Sequence, residues 1–74
     1  MSNQQPVYKF RIGNIHAAIW FNNGFYSVEI TRSYKAEGTE WRSSPSFNHS
    51  DLLNVAKCAE RAETWIGRKL HEDA

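Results

Sequence analysis

Positively charged and aromatic side chains recur at alternate positions in the first half of the sequence, and their chemistry suits them to polyanions. Lysine and arginine bind phosphate oxygens, hydroxyls donate to the same oxygens, and flat rings stack on nucleobases. The candidate nucleic-acid contacts are Lys9, Arg11, His16, Trp20, Phe25, Lys35 and Arg42, with the hydroxyls of Thr31, Ser44 and Ser46 beside them. With only Glu29 and Glu40 as acids nearby, this mixture is typical of proteins that hold single strands.

The same residues allow other interpretations. Lysine, arginine and threonine are common on the solvent face of any antiparallel sheet, so the cations alone do not indicate a ligand. The large rings of Trp20 and Phe25 do indicate a partner, because such rings are unusual on a wet surface. That partner could be a nucleic acid, a second subunit or another protein. His16 taken alone is expected to be an ordinary surface residue.

The sequence contains no recognisable catalytic motif. Its three histidines lie far apart, without the spacing of metal ligands, and the single cysteine, Cys58, excludes an intramolecular disulfide. There are no paired carboxylates, no glycine-rich phosphate loop and no Gly-x-Ser-x-Gly elbow. We therefore expect no enzymatic activity, metal, cofactor or small-molecule substrate.

The period of the apolar residues predicts four strands and then one helix. Period-two alternation marks strands over residues 7–12, 15–21, 25–35 and 39–47, separated by turn residues such as Asn23 and Gly24. The last strand is the weakest of the four, because Pro45 suits only an edge or a bulge. The predicted fold is α+β: an antiparallel four-stranded β-meander followed by one C-terminal amphipathic helix. Residues 7–70 form the single domain, between flexible tails at 1–6 and 71–74.

The helix is expected to cover the apolar face of the sheet. Asn48 is a suitable N-cap, and Asp51 favours the helix start. The apolar stripe is Leu52, Val55, Ala59, Ala62 and Ile66, and Gly67 either ends the helix or is tolerated inside it.

A chain of 74 residues has a marginal core, so we expect a homodimer. The predicted dimer interface comprises Leu53, Cys58 and Trp65, with Cys58 behaving as a small buried hydrophobic residue. Trp41, like Trp65, is expected in the core or this interface. With no membrane span, no signal peptide and one reduced thiol, the expected location is the cytoplasm.

The net charge of +1 is low for a nucleic-acid binder, but the charges are unevenly distributed. Residues 1–47 carry five Lys or Arg and three acids, whereas residues 48–74 carry four and five. The positive excess therefore lies in the predicted sheet.

Short motifs add a family resemblance that covers residues 7–70. The strand order, the sequence Phe10-Arg11-Ile12-Gly13, and Val28-Glu29-Ile30 followed by an arginine and an aromatic residue resemble a known family. It is the family of the transcriptional coactivator positive cofactor four, with its bacterial relatives and the Whirly proteins. The resemblance implies a dimer that binds single-stranded DNA on curved sheets, with the helices at the dimer interface.

The resemblance also implies positions for the contacts. They are Lys9, Arg11, Trp20, Arg42 and the segment from Arg32 to Lys35. The family has a basic, glycine-containing segment before its helix, whereas residues 43–48 here contain no cation. This difference implies modest, salt-sensitive binding, which a dimer would strengthen by doubling the phosphate contacts.

Three functional hypotheses follow. The first is a small dimeric protein that binds single-stranded DNA or RNA without sequence specificity, in transcription, replication or recombination. The second is a protein-interaction module that uses the exposed rings or a sheet edge. The third is a binder of double-stranded DNA.

Overall fold

The structure, a computed structural model, describes residues 5–72 and contains one sheet and one long helix. The sheet has the strand order β1-β2-β3-β4, and every neighbouring pair is antiparallel. The elements are β1 (Tyr8–Ile12), β2 (Ile15–Asn22), β3 (Phe25–Ala36), β4 (Glu40–Ser44), a 3₁₀ turn (His49–Asp51) and α1 (Leu52–Glu72). The predicted α+β fold class, a meander followed by a C-terminal helix, is confirmed.

Tight turns fix the register of the first two hairpins. Asn22 pairs with Phe25, so Asn23 and Gly24 form a two-residue turn, and both have positive φ as a type I′ turn requires. Gly13 also has positive φ, and a Cβ atom added there would lie 3.1 Å from Asn54 Nδ2. A side chain at position 13 would therefore strain the turn and push against α1.

The core lies between β2 and the helix. Ile15, Ala17 and Ile19 project from alternate positions of β2 and are buried, as are Cys58 and Ala62 of α1. Because two of the helix residues at this contact are small, α1 lies close to the sheet. The partly buried side chains packed around this cluster are Phe10, Ile12, Ile30, Phe47 and Val55.

An ion pair joins the start of the helix to the sheet. Arg32 Nε of β3 lies 3.6 Å from Asp51 Oδ2 and donates to the carbonyl oxygen of Ser46 at 2.9 Å. The same Asp51 oxygen accepts from the Asn48 backbone N–H at 3.0 Å, which completes a capping box. Asn48 and Asp51 thus begin the helical segment as predicted, although its first turn is 3₁₀.

Several boundaries differ from prediction. The fourth strand ends at Ser44 instead of residue 47, because Pro45 has no N–H to continue the ladder. Gly67 lies inside α1, which continues through Glu72, so His71 and Glu72 are helical instead of part of a tail. The remaining tail predictions at residues 1–4 and 73–74 lie outside the described residues. Within residues 5–72, no helix is both long and apolar enough to cross a bilayer.

Candidate nucleic-acid interface

The side of the sheet opposite α1 carries the polar and aromatic positions, and we call it the open face. Strand alternation places Lys9, His16 and Lys35 on this side of the sheet. The strand register places the residues that pair with them on the same side. The open face comprises Lys9, Arg11, His16, Ala18, Trp20, Phe25, Ser27, Glu29, Thr31, Ser33, Lys35, Trp41 and Ser43. Among the candidates, it therefore contains Lys9, Arg11, His16, Trp20, Phe25 and Lys35.

Cations occupy the β1 end of the open face. Arg11 pairs directly with His16, and His16 pairs with Thr31 on its other side. In the neighbouring row Lys9 pairs with the small residue Ala18. Because Ala18 does not project far, a depression of about 310 Å³ forms between these cations and β3.

Hydroxyl and imidazole groups occupy the middle of the open face. His16 Nε2 lies 3.1 Å from Ser33 Oγ, within hydrogen-bonding distance. The Ser33 hydroxyl also donates to the Asn14 carbonyl oxygen at 3.4 Å, and the Ser33 N–H donates to that oxygen at 2.9 Å. These bonds hold the β1–β2 turn against β3 and orient the His16 ring.

An exposed tryptophan occupies the β4 end of the open face. Trp41 is 64% exposed and pairs with Lys35, whose ammonium lies 5.5 Å from the centroid of the Trp41 ring. This distance is suited to a cation–π contact. The contact restrains the ring on one side, while most of the ring surface remains exposed.

Two neighbouring depressions that share Arg11 and His16 lie between the two ends, and we call them together the groove. Its central part is lined by Arg11, His16, Ser33 and Trp41. Next to it, towards β1, lie Lys9 and the depression described above. Cations, hydrogen-bonding groups and a flat ring therefore follow one another along a continuous path.

Two further rings lie at the far end of the sheet. Phe25 follows the Asn23–Gly24 turn and is 77% exposed, whereas Trp20 is half-buried. Both project from the open face, as alternation predicts. They form a second aromatic group, separated from Trp41 by most of the length of β3.

Two arginines predicted as contacts lie on the opposite side. Register pairs Tyr34 with Arg42 and Ile15 with Arg32, so both arginines lie on the helix-facing side of the sheet. Arg32 binds Asp51, and Arg42 Nη2 lies 3.4 Å from Glu40 Oε1. The prediction that Arg42 projects from the open face was therefore wrong, although Arg42 also lines a depression with Trp41 and Ser43. Arg32 was predicted as a contact only through the family resemblance. Ser44 pairs with Arg32 and is also on that side, while Ser46 lies beyond the end of β4.

Trp41 is the open-face residue that sequence reasoning missed. The sequence prediction placed Arg42, Ser44 and Ser46 on the open face, whereas the register of β4 places Trp41 and Ser43 there. The three residues between Ala36 and Glu40 fix this register, since they place Trp41 opposite Lys35. Glu37 and Gly38 of this turn both have positive φ. In the sequence, only Gly38 indicates this conformation, because glycine adopts positive φ readily.

The three residues predicted at a dimer interface, Leu53, Cys58 and Trp65, differ from one another in exposure and in contacts. Cys58 is fully buried within the single chain, so it has no surface for a partner, and its interface assignment was wrong. Trp65 stacks on Tyr8 at 5.3 Å between ring centroids and meets Tyr26 edge-on at 6.0 Å. Leu53 is 77% exposed.

Titratable groups offer little chemistry beyond charge. Burial raises the pKa of the Cys58 thiol above its ordinary value, which keeps the thiol protonated and unreactive. Within residues 5–72, no three His, Cys, Asp or Glu side chains come together as a metal site would require.

Comparison with known proteins adds no relative: no family model, curated protein or solved structure matches this chain.

Proposed function

We propose that this protein binds single-stranded DNA or RNA on the open face of its sheet, without strong base preference. The observation that carries the proposal is the groove that joins Lys9 and Arg11 to the exposed, lysine-supported ring of Trp41. Cations at one end suit phosphates, and an exposed ring at the other suits a nucleobase. The resemblance to the positive cofactor four and Whirly family supports the same function in transcription, replication or recombination. We propose the cytoplasm as its location, because a single free thiol, that of Cys58, suits a reducing compartment.

Single strands are favoured over duplex because of where the rings lie. Trp41 and Phe25 present ring faces that need unstacked bases, and in a duplex the bases are already stacked on one another. Stacking contributes roughly 1–3 kcal/mol per base and tolerates any base, which is consistent with weak sequence preference.

The test is a fluorescence titration with oligothymidylate at two salt concentrations. We expect quenching of tryptophan emission and weaker binding as salt rises, because phosphate contacts release counterions. Trp41→Ala should weaken binding by about 1–3 kcal/mol, whereas Trp41→Phe, which keeps a ring, should retain most of it. Absence of binding at low salt, or equal binding by Trp41→Ala, would contradict the proposal.

We propose further that the protein is a homodimer formed along one flank of α1. Leu52 and Leu70 are half-exposed on this flank, about 27 Å apart along the helix axis at ~1.5 Å per residue. Between them, Ala59 and Ile66 line an apolar depression together with Val28 of β3. If the α1 helices of two copies pack antiparallel, Leu52 of each copy lies near the Leu70 end of the other copy's helix. Such a contact is self-complementary, as two-fold symmetry requires.

Sedimentation of the full chain tests the dimer. The double variant Leu52→Glu/Leu70→Glu should be monomeric with unchanged circular dichroism, while the unmodified chain sediments as a dimer at micromolar concentration. If the unmodified chain sediments as a monomer, the dimer proposal is wrong. The nucleic-acid proposal is then still tested by the fluorescence titration.

Phe25 supports a second candidate function. It is more exposed than Trp41 and lies at a hairpin end, where an apolar protein partner could dock. A protein-interaction module would show no salt-sensitive binding of oligonucleotides, and its complex would be lost in Phe25→Ala.

A further inference from the structure

Cations surround the edge of the sheet formed by β1. Lys9 and Arg11 project from β1 onto the open face, and α1 brings Lys57, Arg61 and Arg68 to the other side of the same edge. We propose that the three helix cations, Lys57, Arg61 and Arg68, here called the basic rim, form a second phosphate-binding surface that continues the open face around β1. This inference rests on the proposed function and extends its site.

Helical spacing places the three α1 cations in one row. Positions 57, 61, 64 and 68 follow at four- and three-residue steps, so Lys57, Arg61, Thr64 and Arg68 share one stripe of the helix. All four are exposed. The stripe therefore presents three cations and one hydroxyl to solvent.

Contacts with β1 show which way this stripe faces. The Arg61 guanidinium carbon lies 4.9 Å from the centroid of the Phe10 ring. Tyr8 lines the same depression as Lys57, Thr64 and Arg68. The opposite flank of α1 borders β3 instead, where Ala59 and Ile66 meet Val28. The row of cations thus lies beside the outermost strand.

The distribution of ion pairs leaves the rim positive. Among residues 5–72, the ion pairs involve Arg32, Arg42 and Lys69, and none involves a rim cation. Glu60 lines the depression beside the rim cations, and Glu29 lines the depression beside Lys9 and Arg11. A chain with a net charge of only +1 therefore concentrates five cations around one edge.

The chemistry of the stripe favours a nucleic-acid backbone over other polyanions. A membrane-binding helix needs several large apolar side chains beside its cations. Positions 57, 61, 64 and 68 are all polar, and Leu53, one turn before Lys57, is a single exposed leucine at the end of the row. The exposed Leu52 and Leu70 lie on the flank that borders β3. Continuity with Lys9 and Arg11 allows one strand of phosphates to pass from the open face around the β1 edge, since the Cα atoms span only 15 Å in the thinnest direction.

The rim should increase binding only for strands long enough to reach it. A short oligothymidylate of about 8 nucleotides would occupy the open face alone, whereas one of about 30 would also contact the rim. On single strands each neutralised phosphate contributes roughly 0.7 to the salt slope, so two lost contacts should reduce the slope by about 1.4 per chain.

The experiment compares Lys57→Gln/Arg68→Gln with the unmodified full chain, using fluorescence titrations of both oligonucleotides. Glutamine keeps helix propensity, so thermal unfolding should be unchanged. We expect about tenfold to thirtyfold weaker binding of the long oligonucleotide near 0.1 M salt, the reduced slope, and unchanged binding of the short one. Lys69→Gln removes a cation of α1 that lies outside the rim and is paired with Glu72, so it controls for the loss of charge alone. The charge-conserving variant Lys57→Arg/Arg68→Lys should bind like the unmodified chain.

Each other outcome separates the two proposals. If both oligonucleotides bind and the double variant behaves like Lys69→Gln, the rim is overturned while the open-face function stands. If the unmodified chain binds neither oligonucleotide at low salt, the proposed function fails and the rim fails with it. If the double variant loses binding only to phosphatidylserine vesicles, the rim binds membranes and the assignment to nucleic acid is wrong.

Discussion

The two faces of the sheet have the same strands and opposite physical roles. On the face towards α1, Ile15 and Ile19 are fully buried against small helix residues, and polar groups such as Arg32 are paired. On the open face, Trp41 and Phe25 remain exposed and Lys9 and Arg11 have no ion pair within the described chain. Stability therefore depends on one face, which leaves the side chains of the other available for binding.

The largest expected effect on stability comes from the covered face. Ile15→Ala should lower the free energy of unfolding by about 2–4 kcal/mol, because it leaves a cavity beside Cys58. Thr31→Ala on the open face should change it by less than about 0.5 kcal/mol. Urea unfolding followed by circular dichroism measures both; if Ile15→Ala does not fold, Ile15→Val should cost about 1 kcal/mol. Equal costs at Ile15 and Thr31 would mean that the faces do not differ.

The ion pair beneath the helix start should have the next largest effect. Asp51→Ala removes the partner of Arg32 and the acceptor of the Asn48 N–H, and we expect a loss of about 2 kcal/mol. Glu63→Ala, an exposed acid of α1, is the matched control and should cost less than about 0.5 kcal/mol. A loss at Asp51 no greater than at Glu63 would show that the pair does not stabilise the fold.

The buried thiol should make the covered face sensitive to alkali. Because burial raises the pKa of Cys58 above its ordinary value of 9.0, the unfolded chain loses the thiol proton at a lower pH than the folded chain. Above pH 9.0 the folded state therefore binds more protons, and this group lowers stability by up to about 1.4 kcal/mol per pH unit until the folded thiol also ionises. Below that window it has no effect.

Chemical unfolding at several pH values measures the slope. Cys58→Ala should remove this component while leaving that of tyrosine and lysine groups. An unchanged slope in Cys58→Ala would contradict the expectation. The folded chain should also resist thiol-alkylating reagents until it is unfolded, since Cys58 has no exposed surface.

The smallest expected effect concerns the ring that matters most for binding. Trp41→Ala removes a cation–π contact with Lys35 and little buried area, so its cost in stability should be about 0.5–1 kcal/mol. The same variant should lose far more in the oligonucleotide titration. If Trp41→Ala unfolds as readily as Ile15→Ala, then Trp41 is a structural residue and the distinction between the faces is wrong at β4.

Most of the fold could be predicted because each element repeats a simple pattern. Alternation is regular in β1 and over most of β2 and β3, and Asn23–Gly24 fixes one turn with residues that tolerate positive φ. The helix stripe and the Asn48 cap are equally local. Six of the eight predicted contacts lie on the open face for the same reason.

The errors occur where the decisive interaction is not local. β4 has no apolar alternation, so only the turn before it fixes which side Trp41 and Arg42 occupy. The pairing of Arg32 with Asp51 joins residues far apart in sequence, and no local pattern around either residue predicts the other as its partner. The position of Lys57, Arg61 and Arg68 beside β1 likewise depends on how α1 docks on the sheet. The helical period shows that the three share one stripe, but it does not determine which strand the stripe faces.

The strand order of the meander also affects how quickly the chain can fold. Every strand pairs with the strand next to it in sequence, and the helix folds back onto strands that are already adjacent. Each strand pairing therefore closes a short loop, and the entropy lost in forming the sheet is small. Docking of α1 on β1 and β2 joins residues far apart in the chain, so local pairing favours a sheet that forms before the helix docks.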